Sequence, residues 1–166
     1  MPDPISYYAF TTKIDGLAKV LRNEAQITAN GQSQKVSALW DTGATRSCVS
    51  TKVATDLNLI STGKNLIKTP SGQKEVNTYL VDIGLPNNVN IKDLIVCDSD
   101  IGDQGLDMLI GMDIIGLGDF SVSNYLGKTT FSVRIPSKKT TDYVEEINKE
   151  KLLGPPHGKG KRKHKR

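Results

Sequence analysis

Two short segments constrain this chain more than any other part of it. The first is ALWDTGATRSCVS, an apolar run that breaks at Asp41-Thr42-Gly43 and then resumes. The second is DMLIGMDIIG, centred on Leu109-Ile110-Gly111. Each reads as a strand that ends at a glycine, where the backbone can turn or be approached closely. Around them lie short β-rich runs punctuated by 15 Gly and 7 Pro, with no long apolar stretch at helical spacing. That pattern predicts a mainly β domain.

The runs can be placed in order. Residues 6–14 read as a first strand. Residues 17–29 and 34–41 read as a hairpin turning at Asn30-Gly31, two residues that tolerate positive φ. In its second arm Val36, Ala38 and Trp40 share one face, while Leu39 and Asp41 share the other. Residues 50–59 read as a short helix capped by Ser50, with Val53, Ala54 and Leu57 on one side. A second hairpin covers 65–69 and 74–83, with Pro70-Ser71-Gly72-Gln73 at its tip. Residues 89–97 read as another strand. Residues 107–111 run into a brief helix at 112–117. A last hairpin covers 119–126 and 129–135, turning at Gly127. No internal repeat is evident.

The chain has 166 residues, enough for one domain and a tail. Pro136 closes the domain, giving a boundary at 1–136 and a charged extension at 137–166. Within the extension, TDYVEEINKEKLL is expected to form one or two amphipathic turns. Pro155-Pro156 ends any helix there, and the rest is expected to be disordered. The formal net charge of +4 belongs to this end of the chain. Lys159, Lys161, Arg162, Lys163, Lys165 and Arg166 lie in one acid-free run, and without them residues 1–153 carry −2. Lys159–Arg166 could contact nucleic acid or another anionic surface, or serve only as a solubilising end. No aromatic residue interleaves the basic ones, so base stacking is not indicated.

No apolar run is long enough to span a membrane. The N-terminus lacks a basic start followed by an apolar core, so no signal peptide is expected. Cys48 and Cys97 lie in apolar, strand-like stretches. They are expected to be reduced, buried thiols in a cytoplasmic protein.

The full set of features is an apolar strand into Asp41-Thr42-Gly43-Ala44, a glycine-tipped hairpin, then Leu109-Ile110-Gly111 and a short helix. In this order and spacing it resembles the retropepsin-like (retroviral-type) aspartic peptidases. The resemblance spans roughly residues 20–135. It implies an all-β acid-protease barrel forming a single lobe, half of a dimeric aspartic peptidase, with one or two short helices. An aspartic peptidase needs two carboxylates, and this chain has only one Asp-Thr-Gly. The implied active species is therefore a homodimer in which each chain contributes Asp41. The implied substrate is a polypeptide, and no cofactor or metal is required.

The resemblance assigns roles to individual residues. One ionised Asp41 takes a proton from water, while the protonated Asp41 of the second chain polarises the scissile carbonyl. Close carboxylates resist joint ionisation, and their titrations split by roughly 3 pKa units in the best-known single-chain case. Thr42 is expected to hydrogen-bond across the twofold axis. Gly43 lets the backbone approach the carboxylates and binds substrate backbone. Ala44 leaves room for substrate, and Thr45 and Arg46 line outer subsites. Arg46 has a second reading, as an ion-pair partner of Asp113. Leu109, Ile110 and Gly111 are expected to pack under the Asp41 loop. Pro70, Ser71, Gly72 and Gln73 are the expected tip of a flap closing over bound peptide. Trp40 is bulkier than the small aliphatic expected before the Asp-Thr-Gly. The competing reading keeps the fold without the chemistry, as a non-catalytic dimerisation or peptide-binding module whose basic tail contacts nucleic acid.

Two decoys are set aside. Asp98, Asp100, Asp103 and Asp107 hint at calcium, but counting from Asp98 the turn-glycine position holds Asp103 and the closing-glutamate position holds Leu109. They read as a solvated acidic loop. His157 and His164 have no third ligand nearby, so a metal site is not expected.

Overall fold

A computed structural model describes residues 5–69, 72–102 and 105–153. The order is β1 (Tyr8–Ile14), β2 (Arg22–Ala29), β3 (Gln32–Trp40), β4 (Cys48–Ser50), α1 (Thr51–Asp56), β5 (Ser61–Thr69), β6 (Gly72–Leu85), β7 (Val89–Ser99), β8 (Met108–Ile110), α2 (Met112–Ile115), β9 (Asp119–Ser123), β10 (Thr129–Ile135) and α3 (Tyr143–Leu153). The protein is all-β in class, with short helices at the joints.

Seven strands form one sheet in the order β2-β3-β8-β4-β7-β6-β5, and β2 also pairs with β6. That extra pairing closes six strands into a barrel, which removes most exposed edges. β5 lies outside the ring, attached to β6 alone. A second sheet, β1-β10-β9, packs against the barrel. Inward residues of both sheets, including Ile27, Ala38, Val49, Val81, Val96, Met108, Ile110 and Phe131, are essentially inaccessible to solvent.

Trp40 joins the two layers. It stacks on Phe120 at 5.4 Å and meets Phe10 at 6.0 Å and Phe131 at 6.2 Å. Its indole N–H donates to Asn23 Oδ1. The bulk that looked anomalous before Asp41 therefore fills the seam between barrel and outer sheet.

Several boundaries differ from the sequence reading for local reasons. β2 starts at Arg22 rather than 17: residues 17–21 are irregular, and the Ala18 amide donates to the Thr129 hydroxyl at 2.9 Å instead of to a ladder. α1 ends at Asp56, and Asn58 in the left-handed region terminates it. Ser50 does cap α1, accepting from the Val53 amide at 3.2 Å. α2 is a single turn. The three-residue strand β4 was not anticipated. Its length leaves no alternation to read, and its pairing partners are distant in sequence.

α3 is longer than the one or two turns expected. Asp142 caps it by accepting from the amides of Val144 and Glu145 at 2.9 and 3.0 Å. Glu145 and Glu146 sit in its first turn and Lys151 in its last, which suits the helix dipole. Its residues through Leu152 are exposed. No described helix is long and apolar enough to cross a membrane. The tail residues singled out in the sequence, Lys159–Arg166 with His157 and His164, lie outside the described residues.

Candidate active site

The Asp41 loop is an arch whose two stems share one strand. β3 enters it and pairs parallel to β8, with Trp40 opposite Ile110. β4 leaves it and pairs antiparallel to the same β8, with Cys48 opposite Leu109. The loop must then pass over the end of β8, where Gly111 lies. Backbone bonds tie the crossing. The Asp41 amide donates to the Ile110 carbonyl at 2.9 Å, and the Met112 amide donates to the Ala44 carbonyl at 2.8 Å.

Gly111 is required by space rather than by φ. A Cβ built there would lie 2.7 Å from the Arg46 carbonyl carbon and 2.8 Å from the carbonyl oxygens of Ala44 and Arg46. Those are backbone atoms, so no side-chain rotation relieves the contact. Leu109, Ile110 and Gly111 thus lie directly beneath the Asp41 loop.

Ser47 is a second fastening that the sequence reading missed. It is fully buried. Its hydroxyl donates to Asp113 Oδ1 at 2.6 Å and accepts from the Gly111 amide at 3.0 Å. Its own amide donates to Asp113 Oδ2 at 2.8 Å. Both oxygens of Asp113 are therefore engaged by Ser47. The ion pair between Arg46 and Asp113, one of two readings of that arginine, does not form. A lone serine between Arg46 and an apolar run carries no pattern that would have singled it out.

At the summit, Asp41 is half-buried, and Oδ1 accepts from the Gly43 amide at 2.8 Å. Oδ2 has no partner among the described residues. One oxygen is thus oriented and the other is free to meet water or substrate. Thr42, Gly43, Thr45 and Arg46 are exposed, and Ala44 is half-buried.

Cys48 and Cys97 are register partners on the parallel pair β4–β7, and both are free thiols. Burial pushes the Cys48 thiol up to about 12, with Cys97 adding to the shift. Burial also raises Cys97. Neither thiol is an activated nucleophile at neutral pH.

The β5–β6 hairpin is fastened more lightly. Lys64 pairs with Glu75 across it at 2.6 Å. Lys74 pairs with Asp100, which also accepts from Thr51 at 3.3 Å. Further down, Asp98 accepts from the Asn77 amide at 2.9 Å and the Tyr79 hydroxyl at 3.1 Å. Of the four expected flap-tip residues, Gly72 and Gln73 begin β6, while Pro70 and Ser71 lie outside the described residues. The acidic residues are spent in separate places. Asp98 and Asp100 hold β6, Asp107 accepts from the Ser37 amide at 2.9 Å, and Asp103 lies outside the described residues. A groove of about 770 Å³ runs along β1, β9 and β10, lined by Thr11, Ser121, Ser132 and Arg134, and does not include Asp41.

A family model described as gag-polyprotein putative aspartyl protease matches residues 25–116, more than half of the chain. The chain belongs to this family. The match contains both the Asp41 arch and the β8 strand beneath it. Among solved structures, a retropepsin-like aspartic protease from Rickettsia conorii superposes with a TM-score of 0.51 at 17% identity, covering 78% of this chain and 96% of that one. It shows the same fold. An EIAV protease in complex with an inhibitor gives a TM-score of 0.47 at 24% identity, covering 60% and 88%. The Simian Foamy Virus (mac) protease gives 0.42 at 25%, covering 58% and 92%. Comparison with curated protein sequences finds no match. The retropepsin-like aspartyl protease fold and family are thus established for this chain.

Proposed function

We propose that this aspartyl protease family member is a homodimeric endopeptidase, with Asp41 of each chain forming the catalytic dyad. The observation that carries the reading is the Asp41 arch itself. It presents one oriented carboxylate with a free oxygen on an exposed loop. The chemistry needs two such groups, and one chain supplies only one. Thr42 and Gly43 beside it are exposed, as residues at a twofold seam would be in an isolated chain.

In this reading water attacks the scissile carbonyl carbon while ionised Asp41 accepts its proton. The partner's Asp41, protonated, donates a hydrogen bond to the carbonyl oxygen as it gains charge. The tetrahedral intermediate collapses when the amide nitrogen takes a proton from the dyad and the C–N bond breaks. Gly43, Ala44, Thr45 and Arg46 form the floor for an extended substrate, and the β5–β6 hairpin, with Pro70, Ser71, Gly72 and Gln73 at its tip, covers it. No metal or cofactor takes part. Residues 1–136 form the peptidase domain. The extension 137–166 is separate from the chemistry, its basic end contacts an anionic partner, and the protein works in the cytoplasm.

The test is cleavage of a randomised peptide library from pH 3 to 8 by wild type and Asp41→Asn, with mass measured in solution. The expected result is a dimeric wild type that cuts, and a dimeric Asp41→Asn that does not. Residual cleavage by a clean Asp41→Asn preparation excludes the dyad. A dimer that binds extended peptides without cutting at any pH replaces the enzyme with a binding module.

A further inference from the structure

Arg46 is held at its backbone and idle at its side chain. The backbone is trapped between Gly111 below and Ser47 after it, and Ser47 is tied to Gly111 and Asp113 by three hydrogen bonds. The side chain is exposed and makes no hydrogen bond or ion pair with any described residue. The carboxylate best placed in sequence to neutralise it, Asp113, is saturated by Ser47 and by the Ile114 amide at 2.9 Å. Lys64 and Lys74 on the neighbouring hairpin are committed, to Glu75 and Asp100. Among the described residues Arg46 is therefore an uncompensated cation on a rigid stem, five positions after Asp41.

Its direction can also be read. The Cys97 amide donates to the Ser47 carbonyl at 3.2 Å, which sets the stem of Arg46 beside the end of β7. Cys97 in turn pairs with Thr78 of the hairpin strand β6. Arg46 thus stands between the Asp41 loop and the strands that lead to the hairpin tip, and its positive charge favours the Cys97 thiolate. A peptide lying extended there advances about 3.3 Å per residue, so a group offset from the carboxylate along the loop meets a side chain about two or three residues from the scissile bond.

We infer that Arg46 selects substrates carrying an acidic side chain two or three residues from the cut. This rests on the peptidase reading above and specifies its substrate class. A guanidinium offers a planar pair of donors that fits a carboxylate, and a fixed backbone lowers the entropy lost on pairing. Twofold symmetry puts one Arg46 on each side of the dyad, so the preference applies on both sides of the bond. It is screened by salt, because the guanidinium is solvent-exposed.

The test compares matched peptides that differ only by Glu against Gln at those positions, cut by wild type, Arg46→Gln and Arg46→Glu. Using the Glu/Gln ratio of kcat/KM within each variant cancels any general loss of activity. Wild type is expected to favour Glu by about 10-fold, the order of a charge-assisted hydrogen bond. The ratio should fall to near 1 in Arg46→Gln and invert toward Lys-bearing peptides in Arg46→Glu. Thermal melting and solution mass verify that the variants remain folded dimers. A wild type that cuts without acidic preference, or a preference unchanged in Arg46→Glu, overturns the role of Arg46 and leaves the Asp41 dyad standing. A wild type that cuts nothing overturns both.

Discussion

The Asp41 arch and the β5–β6 hairpin are made of similar short β-rich sequence, yet they are fastened in different ways. The arch is held by backbone hydrogen bonds to β8, by a buried serine, and by a glycine on which its backbone rests. The outer hairpin is held by its own two-stranded ladder and by exposed ion pairs. Its strands change character along their length. The first four residues of β6 are exposed, and alternating burial starts only at Val76, where β6 joins the barrel. In the proposed peptidase, reaction geometry requires the first region to hold its groups in place without reorganisation. The proposed flap, which would admit and release a peptide, must open at low cost, and few buried contacts would provide that.

Breaking the arch should have the largest effect. Gly111→Ala puts a methyl group against three backbone atoms, so the loop or β8 must move. Destabilisation of about 1–3 kcal/mol is expected from such overpacking, with loss of cleavage beyond what the stability change explains. Denaturant titration beside a peptide assay measures both. If Gly111→Ala is neutral, the arch is not rigid and the contrast fails.

Ser47→Ala removes the same fastening without adding bulk. The buried Gly111 amide loses its acceptor and Asp113 loses a donor, which costs about 1–3 kcal/mol. Its midpoint in urea should fall while the unfolding slope stays constant. Retention of wild-type stability would mean that Ser47 merely occupies space.

A smaller effect, visible only through pH, comes from Asp119 at the start of β9. The Ser137 hydroxyl, the Lys138 amide and Arg134 hold its carboxyl well below the ordinary value of 3.8. A carboxyl depressed in the folded state stabilises fully above its unfolded value and loses that contribution as pH falls through the folded one. Asp119→Asn should therefore melt earlier than wild type at neutral pH, and the gap should begin to narrow below about pH 3.8 and close only as pH falls to the depressed folded value. A gap that persists at the acid end would assign the loss to packing instead of charge.

The smallest effect should come from the hairpin. Lys74→Gln cuts the Lys74–Asp100 pair, in which both side chains are more than half exposed. The global melting midpoint should not move measurably, as is usual for exposed pairs. Hydrogen exchange in 72–76 should quicken, while exchange at Asp41 and Met112 stays slow. Uniform slow exchange in both regions would erase the contrast.

Much of this was legible in the chain. Strict alternation marked the buried face of β3, because side chains in a strand point alternately to opposite sides. Asn30-Gly31 marked the first hairpin, and both residues adopt positive φ, at 50° and 75°. Ser50 marked the start of α1. Asp41 and Gly111 stood out as members of one pattern. These are local signals, set by backbone sterics and by the period of the side chains.

Other features were decided by tertiary structure, because they depend on which distant segments meet. Closure of the barrel rests on β2 reaching β6, more than fifty residues away. β4 is a strand only because β7 and β8 flank it. Whether Asp113 pairs with Arg46 or Ser47 is a matter of a few ångströms at a crossing that no periodicity encodes. The sequence by itself determined a β domain with one aspartate at a glycine turn. Only the packing of β8 between β3 and β4 decided that this aspartate sits on a fixed arch beside an arginine that has no partner among the described residues, since long-range contacts, not local propensity, set where those side chains lie.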